Sequence, residues 1–217
     1  MGIAASSASR FRRLALLALA FCVLLAVPAS RADAADGSLL GCGYAASNPF
    51  LRFVDPLPYT LAPDGGFEAG AAGWQLSGGA KVVSGNEPFY LAGSGTKSLQ
   101  LPAGSSATSP PMCVGLLLPV VRFVTQGGAL LSSLKVEAVW TNAAGGQSSI
   151  VLLPGVLGGS SAWAPTLPLL QVGGVLNALT LNGLTTQMSF RFTPKGGLLG
   201  SGTWRIDDVY VDPWKTI

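Results

Sequence analysis

Leu134-Lys135-Val136-Glu137-Ala138-Val139-Trp140-Thr141 and Thr185-Thr186-Gln187-Met188-Ser189-Phe190-Arg191-Phe192-Thr193 decide the fold. In the first stretch Leu134, Val136, Ala138 and Trp140 share one parity, while Lys135, Glu137 and Thr141 take the other. In the second, Met188, Phe190 and Phe192 oppose Gln187, Ser189, Arg191 and Thr193. A period of two is the spacing of a strand, and it predicts one wet face and one buried face. Working outward, further short segments recur at residues 80–84, 97–101, 120–125, 148–153, 166–172 and 203–211, parted by Gly, Pro, Asn or Ser clusters. That rhythm predicts an all-β sandwich. Composition agrees: 49% apolar residues with 11% charge can fill a core, and Gly 29 with Pro 15 favours turns over long helices. Residues 175–184 are ambiguous, because Val175, Leu176, Leu179 and Leu184 also fit a short helical turn beneath the sandwich.

Upstream the chain changes character. Arg10, Arg12 and Arg13 precede an apolar run over 14–27, and Ala32-Asp33-Ala34 offers the small-x-small pattern of a signal-peptidase site. Residues 1–34 therefore read as a secretory signal cut after Ala34. An uncleaved anchor is one rival, although the run falls short of the roughly 20 residues that span a bilayer as a helix. Lipidation at Leu39-Leu40-Gly41-Cys42 is another, with residues 28–38 separating that box from the apolar run. Removing the signal takes four of thirteen basic and one of ten acidic residues, leaving nine of each. A formally neutral chain lacks the basic stripe that neutralises nucleic-acid phosphates. Its most continuous apolar stretch, 114–121, is interrupted by Gly115 and Pro119, so no transmembrane segment is predicted in the mature chain.

Residues 35–62, with Pro49, Pro56 and Pro58, read as a lead-in arm, and 63–217 as the sandwich domain. On the arm, Phe50, Leu51, Phe53 and Tyr59 are suited to cover an open sheet edge or core end. Cys22 leaves with the signal; Cys42 and Cys113 remain as an even pair in an oxidising compartment, which predicts a disulfide. Closing a loop of about 70 residues is worth about 4 kcal/mol in the chain-entropy picture.

Asp64-Gly65-Gly66-Phe67-Glu68-Ala69-Gly70, then Gly73-Trp74, with Ser98-Leu99-Gln100-Leu101 downstream and Trp204-Arg205-Ile206-Asp207-Asp208-Val209 near the end, resembles the galactose-binding-like jelly rolls shared by many carbohydrate-binding modules. The match spans about 63–213. It implies a jelly roll whose opening and closing segments lie side by side. It also implies a structural calcium ion, with Glu68 and Asp207 as the matching acids and Asp208 as substitute; calcium takes six to eight oxygens. The alternative is that Glu68 accepts backbone N–H bonds while Asp207 and Asp208 are solvated or pair with Arg205. A closer resemblance covers Cys42, Gly65 to Glu68, Val83-Ser84-Gly85-Asn86-Glu87-Pro88, Gly104 to Pro110, Cys113-Val114, Arg191-Phe192-Thr193-Pro194 and Ile206 to Pro213. It is to a group of secreted bacterial proteins of unestablished function, and it implies the Cys42–Cys113 bond and export without adding an activity.

Aromatic rings are the usual platform for sugars, so the five tryptophans matter. Trp74, Trp140 and Trp204 fall on core positions of their segments. Trp163 differs, lying among small residues at 158–165, ahead of a strand. It is the leading ligand-contact candidate, with Tyr90, Asn86 and Glu87 supplying polar contacts from a neighbouring loop. Arg122, Lys135, Glu137, Gln187 and Arg191 are candidates for a polar sheet face.

The chain has no histidine, which excludes Ser-His-Asp and Cys-His catalysis and the usual His-based metal centres. A glycosidase needs two carboxylates about 5 to 9.5 Å apart, and Glu87 with Glu137 is the pair on offer. Ser94-Gly95-Thr96-Lys97 and Ser132-Ser133-Leu134-Lys135 have SxxK spacing, but each runs into a predicted strand instead of opening a helix. The leading functional expectation is a secreted, non-catalytic binding or cell-envelope interaction module, with glycan as ligand class. A structural surface protein whose apolar loops at 115–121 and 167–176 pack on a protein partner is second, and a carboxylate-dependent glycoside hydrolase third.

Overall fold

The two alternating stretches pair with each other. In the computed structural model, which describes residues 42–115, 119–142, 144–171, 185–198 and 200–212, Ala138 lies opposite Phe190 and Val136 opposite Phe192 in an antiparallel ladder. The strands are β1 (Thr60–Leu61), β2 (Gln75–Ser77), β3 (Lys81–Ser84), β4 (Lys97–Leu101), β5 (Ser106–Thr108), β6 (Met112–Gly115) and β7 (Val120–Gly127). After these come β8 (Ser133–Thr141), β9 (Gln147–Leu153), β10 (Val156–Leu157), β11 (Ser160–Pro165), β12 (Leu169–Gln171), β13 (Thr185–Lys195) and β14 (Trp204–Asp212). The signal over 1–34, the ambiguous turn at 175–184 and Trp214 lie outside the described residues.

One layer runs β2-β5-β13-β8-β9, and β12 bridges from β9 to β7, which begins the other layer, β7-β14-β4-β3. The sandwich is thus one sheet folded over, joined on the β12 side and open between β2 and β3. Strand β13 is long enough to pair with β8 over its whole second half, while β6 takes its first residues from the other side and β5 follows at Arg191 and Phe192.

Between the layers, Phe190, Phe192, Leu134 and Val136 meet Phe123, Leu99, Trp204 and Ile206, all buried. The Phe123 and Phe192 rings meet edge to face at 5.2 Å, and Trp74 packs beside Phe67 at 5.0 Å. Burying each such side chain contributes about 1.5–3 kcal/mol. Trp204 sits so close to the β7 end that a Cβ on Gly128 would fall 2.5 Å from its indole, and that residue's φ of +76° is itself a glycine conformation.

A second cluster lies outside this core. Val121, Phe123 and Val211 face inward, so Val120, Arg122 and Tyr210 face outward, and the arm closes over them. Phe50 and Tyr59 are fully buried there, 5.3 Å apart, with Phe50 also 5.6 Å from Tyr210. Arg122 is buried beneath, paired with Asp55, its guanidinium 4.4 Å over the Phe50 ring and its Nε donating to the Thr166 carbonyl at 2.7 Å. Asp55 also accepts the Tyr59 hydroxyl at 2.8 Å. The arm is expected at an edge or core end; its β1 pairs with the β14 edge at Thr60 and Leu61, and the rest of it also covers the outer face of β7 and β14. Leu51, in a 3-10 turn that ends at Val54 with φ +60°, is 62% exposed because the turn rotates it away from the sheet. Arg122 consequently belongs to this buried junction and not to the polar face of Lys135, Glu137 and Arg191. The Cys42–Cys113 bond ties the start of the arm to β6, with Cα atoms 5.5 Å apart, and the Cys113 N–H donates to the Tyr44 hydroxyl at 2.9 Å.

Candidate functional site

Most of the predicted site residues gather around one loop, residues 85–96, which joins β3 to β4. Its neck is closed by the Gly85 N–H donating to the Thr96 carbonyl at 2.7 Å. Strand β14 reaches it through an irregularity: register with β7 shifts between Asp207 and Tyr210, and Asp208 has φ +49°. Asp is among the few residues that visit this region readily, and the bulge aims two consecutive carboxylates at the loop instead of alternating them.

Asp207 accepts the Glu87 N–H at 3.1 Å and the Asp208 N–H at 2.9 Å. Asp208 accepts the Ala92 N–H at 2.9 Å and hydrogen-bonds Glu87. The Glu87 carboxylate in turn accepts the N–H groups of Phe89 and, at 2.8 Å, Leu91. Tyr210 closes the set by donating to the Leu91 carbonyl at 3.0 Å. Glu87 and Asp207 are 0% exposed and Asp208 3%. Burial and then the charge of Asp208 push Asp207 up to about 8; burial and then the hydrogen bond with Glu87 push Asp208 up to about 7. Burial, then Asp208 and Glu87, also raises Tyr210. Asp207 and Asp208 thus keep their protons to higher pH than ordinary aspartates, and the cluster works as a loop anchor. Glu87, expected to offer polar contacts to a ligand, does not reach solvent.

Glu68 occupies the other flank. Its carboxylate accepts the N–H groups of Thr96 and Lys97, both at 2.8 Å, and the Thr96 hydroxyl at 3.1 Å. Desolvation works to raise this acid, but those donors outweigh it and hold it below the usual carboxylate range. The Lys97 ammonium donates to the Glu68 carbonyl at 2.6 Å. Asn86 donates to the Glu87 carbonyl at 2.8 Å, and its Oδ1 crowds Gly95, where a Cβ would come within 2.2 Å of it and 3.1 Å of Glu68 Oε1.

The opening and closing segments do lie side by side: Ala62 N–H donates to the Val209 carbonyl at 2.9 Å and Val209 N–H to the Gly65 carbonyl at 3.0 Å. The acids nevertheless do not fit a calcium ion as they stand. Glu68 is turned toward β4 and the two aspartates toward the 85–96 loop, and each carboxylate already accepts backbone N–H donors. Among the described residues no group of three or more His, Cys, Asp or Glu side chains is gathered to hold a metal.

Arg205 departs from its expected pairing with Asp207 or Asp208. It points away from them and clamps the loop's other end, donating to the Ser84 and Gly85 carbonyls at 2.8 and 2.7 Å and to the Ser98 hydroxyl at 2.6 Å. Its guanidinium lies 5.5 Å from the centroid of the Trp163 ring. Trp163 is on β11, a strand and not the expected loop, and is half-buried among Ser161, Ala162 and Ala164, which are exposed. Tyr90 stands at the loop tip, 55% exposed with φ +53°. The structure thus brings Glu68, Asn86, Glu87, Asp207 and Asp208 around one loop, places Tyr90 at its tip, and joins Trp163 to its base through Arg205. Sequence reasoning missed that last link, since the parity of β14 marks Arg205 as outward but not what it meets. Glu137 is on the opposite layer, paired with Lys135 at 2.8 Å, so it forms no catalytic pair with the enclosed Glu87.

No family model matches this chain, and no curated protein matches it. Solved structures that do include carbohydrate-binding modules. One is a family 61 module in complex with β-1,4-galactotriose, at 18% identity and TM-score 0.42, over 71% of this chain and 98% of that one. Another is the xylan-binding CBM22-1 domain from Paenibacillus barcinonensis Xyn10C, at 14% identity and TM-score 0.45, over 67% and 88% of the two chains. A further xylan-binding family 22 domain has 16% identity and TM-score 0.43, over 71% and 99%.

Proposed function

We propose that the mature chain is a secreted, non-catalytic module that binds neutral glycan at the cell envelope, with the Trp163 ring as its stacking platform. The observation that supports this reading is the Trp163–Arg205 pair. An indole flanked by serine and alanine leaves room beside it for a flat ligand, and a guanidinium fixed by three acceptors holds the ring in place before a ligand arrives. Asn86 and Tyr90, in the loop that Arg205 clamps, supply the polar contacts; the formal neutrality of the mature chain suits an uncharged ligand. A hydrolase is not favoured, because Glu87 is sealed behind Asp207 and Asp208.

A glycan array followed by affinity electrophoresis on the selected polysaccharide tests this. Trp163→Ala should abolish retardation while lowering stability by only about 1 kcal/mol, the scale of an exposed cation–π contact. Undiminished binding by that variant, or no glycan bound by the wild type, would overturn the assignment.

A further inference from the structure

Outer side chains of one sheet layer fall into a single line across its strands. Leu99, Phe123 and Ile206 face the core, so Gln100, Gln126 and Arg205 face outward by the two-residue period. Their registers coincide: Gln126 of β7 lies opposite Arg205 of β14, Arg205 opposite Gln100 of β4, and Gln100 opposite Lys81 of β3. On the far side Ala164 of β11 lies opposite Thr125, which sets Trp163 beside Gln126. Five strands thus present Trp163, Gln126, Arg205, Gln100 and Lys81 in one line, over four strand spacings or roughly 19 Å.

The chemistry of this line suits a hydroxyl-bearing ligand. Gln126 and Gln100 are half-buried and Lys81 is exposed, and among the described residues none of their side-chain heads has a hydrogen-bond partner. An amide both donates and accepts, as a sugar hydroxyl does. Between the two amides Arg205 is fixed on the Ser84 and Gly85 carbonyls and the Ser98 hydroxyl, so the middle of the line is set before a ligand arrives. No carboxylate stands in the line, and Lys81 is exposed, where charge attraction is worth little. A single sugar engages only the indole and its nearest amide. A chain kept straight by β-1,4 links advances by close to one strand spacing per unit, and so meets another polar side chain at each step. We propose that this line is an extended glycan track that takes straight, uncharged β-1,4-linked chains laid across the strands, with Gln126 and Gln100 as its specificity-determining residues. The track rests on the reading of Trp163 as the stacking platform.

Calorimetric titration of the mature chain with cello- and chito-oligosaccharides of one to six units tests it. Affinity for at least one series should rise stepwise to about five units and then level, and should not move with salt. Gln100→Ala, three strands from Trp163, should weaken binding of the hexasaccharide roughly fivefold, the scale of one hydrogen bond, and leave the disaccharide unchanged. Gln126→Ala, next to the indole, should weaken both, and each variant should keep the wild-type circular dichroism and melting. Affinity that levels at two units, or hexasaccharide binding indifferent to Gln100→Ala, overturns the track but leaves the platform standing where Trp163→Ala still abolishes binding. Preference for an acidic or α-linked glycan overturns the ligand class in the same way. Failure to bind either series overturns the track whatever a glycan array selects, and binding untouched by Trp163→Ala overturns track and platform together.

Discussion

At Asp208 a proton does the work that a counter-ion does elsewhere. Its carboxyl hydrogen-bonds Glu87, and the ordinary value of 3.8 moves up to about 7, with neighbouring Asp207 at about 8. Raised folded-state values mean that the folded protein holds these protons more tightly than the unfolded chain. The stabilisation is complete below about 3.8 and is lost as pH rises through about 7 to 8. Glu68 acts oppositely but is exposed, so its share is small. The melting temperature should therefore fall from mildly acidic to mildly alkaline pH. In Asp208→Asn an amide N–H replaces the shared proton toward Glu87, and a pH series of thermal melts should show a flatter alkaline decline; an unchanged slope would count against the shared proton. Glu87 and Asp208 were legible singly, as an acid in a loop and an acid in a closing strand. That the two side chains hydrogen-bond was not, because nothing in a sequence couples two acids so far apart along it.

Among the elements, the arm shows how a buried ion pair helps fix a segment whose only strand pairing to the body is the two-residue β1. Arg122 and Asp55 are both buried, and removing one partner of such a pair typically costs about 3–5 kcal/mol by stranding the other. Arg122→Ala should lower urea stability on that scale and make residues 48–58 more sensitive to proteolysis. In a double-mutant cycle, Asp55→Ala should cost much less once Arg122 is gone; full additivity would show that the pair does not hold the arm. Strand legibility followed length and alternation. Residues 97–101 were read to the residue as β4, and β8 and β13 nearly so, because side chains on one buried face repeat every second position. Strands β1, β2, β5, β6, β10 and β11 were missed: the first five are two to four residues long, and β11 is built of serine, alanine and proline around one tryptophan, so their pairing rests on neighbours and not on pattern.

For the molecule as a whole, the Cys42–Cys113 link adds a covalent restraint to the same arm. It closes a separation of 71 residues, for which the chain-entropy picture gives about 4 kcal/mol. The Cys42→Ser, Cys113→Ser double variant should lose stability on that order in chemical denaturation, and reduction of the wild type should reproduce the loss. Equal stability of oxidised and reduced protein would assign the arm's attachment to Arg122 and the Phe50 cluster alone. Among the described residues no helix is long and apolar enough to cross a membrane.

By itself the sequence determined the strands that alternate, the side of each that is buried and the pair of cysteines that meet, because periodicity and composition act locally and survive without knowledge of neighbours. The adjacency of the opening and closing segments came only as what the resemblance to galactose-binding-like jelly rolls implies. The tertiary structure decided what those neighbours are. It folded one sheet over through β12, laid the arm across an outer face, and let a bulge turn Asp207 and Asp208 onto Glu87 while Glu68 turned to β4. Those outcomes depend on burial and on competition among hydrogen-bond donors, which exist only once distant segments are packed together.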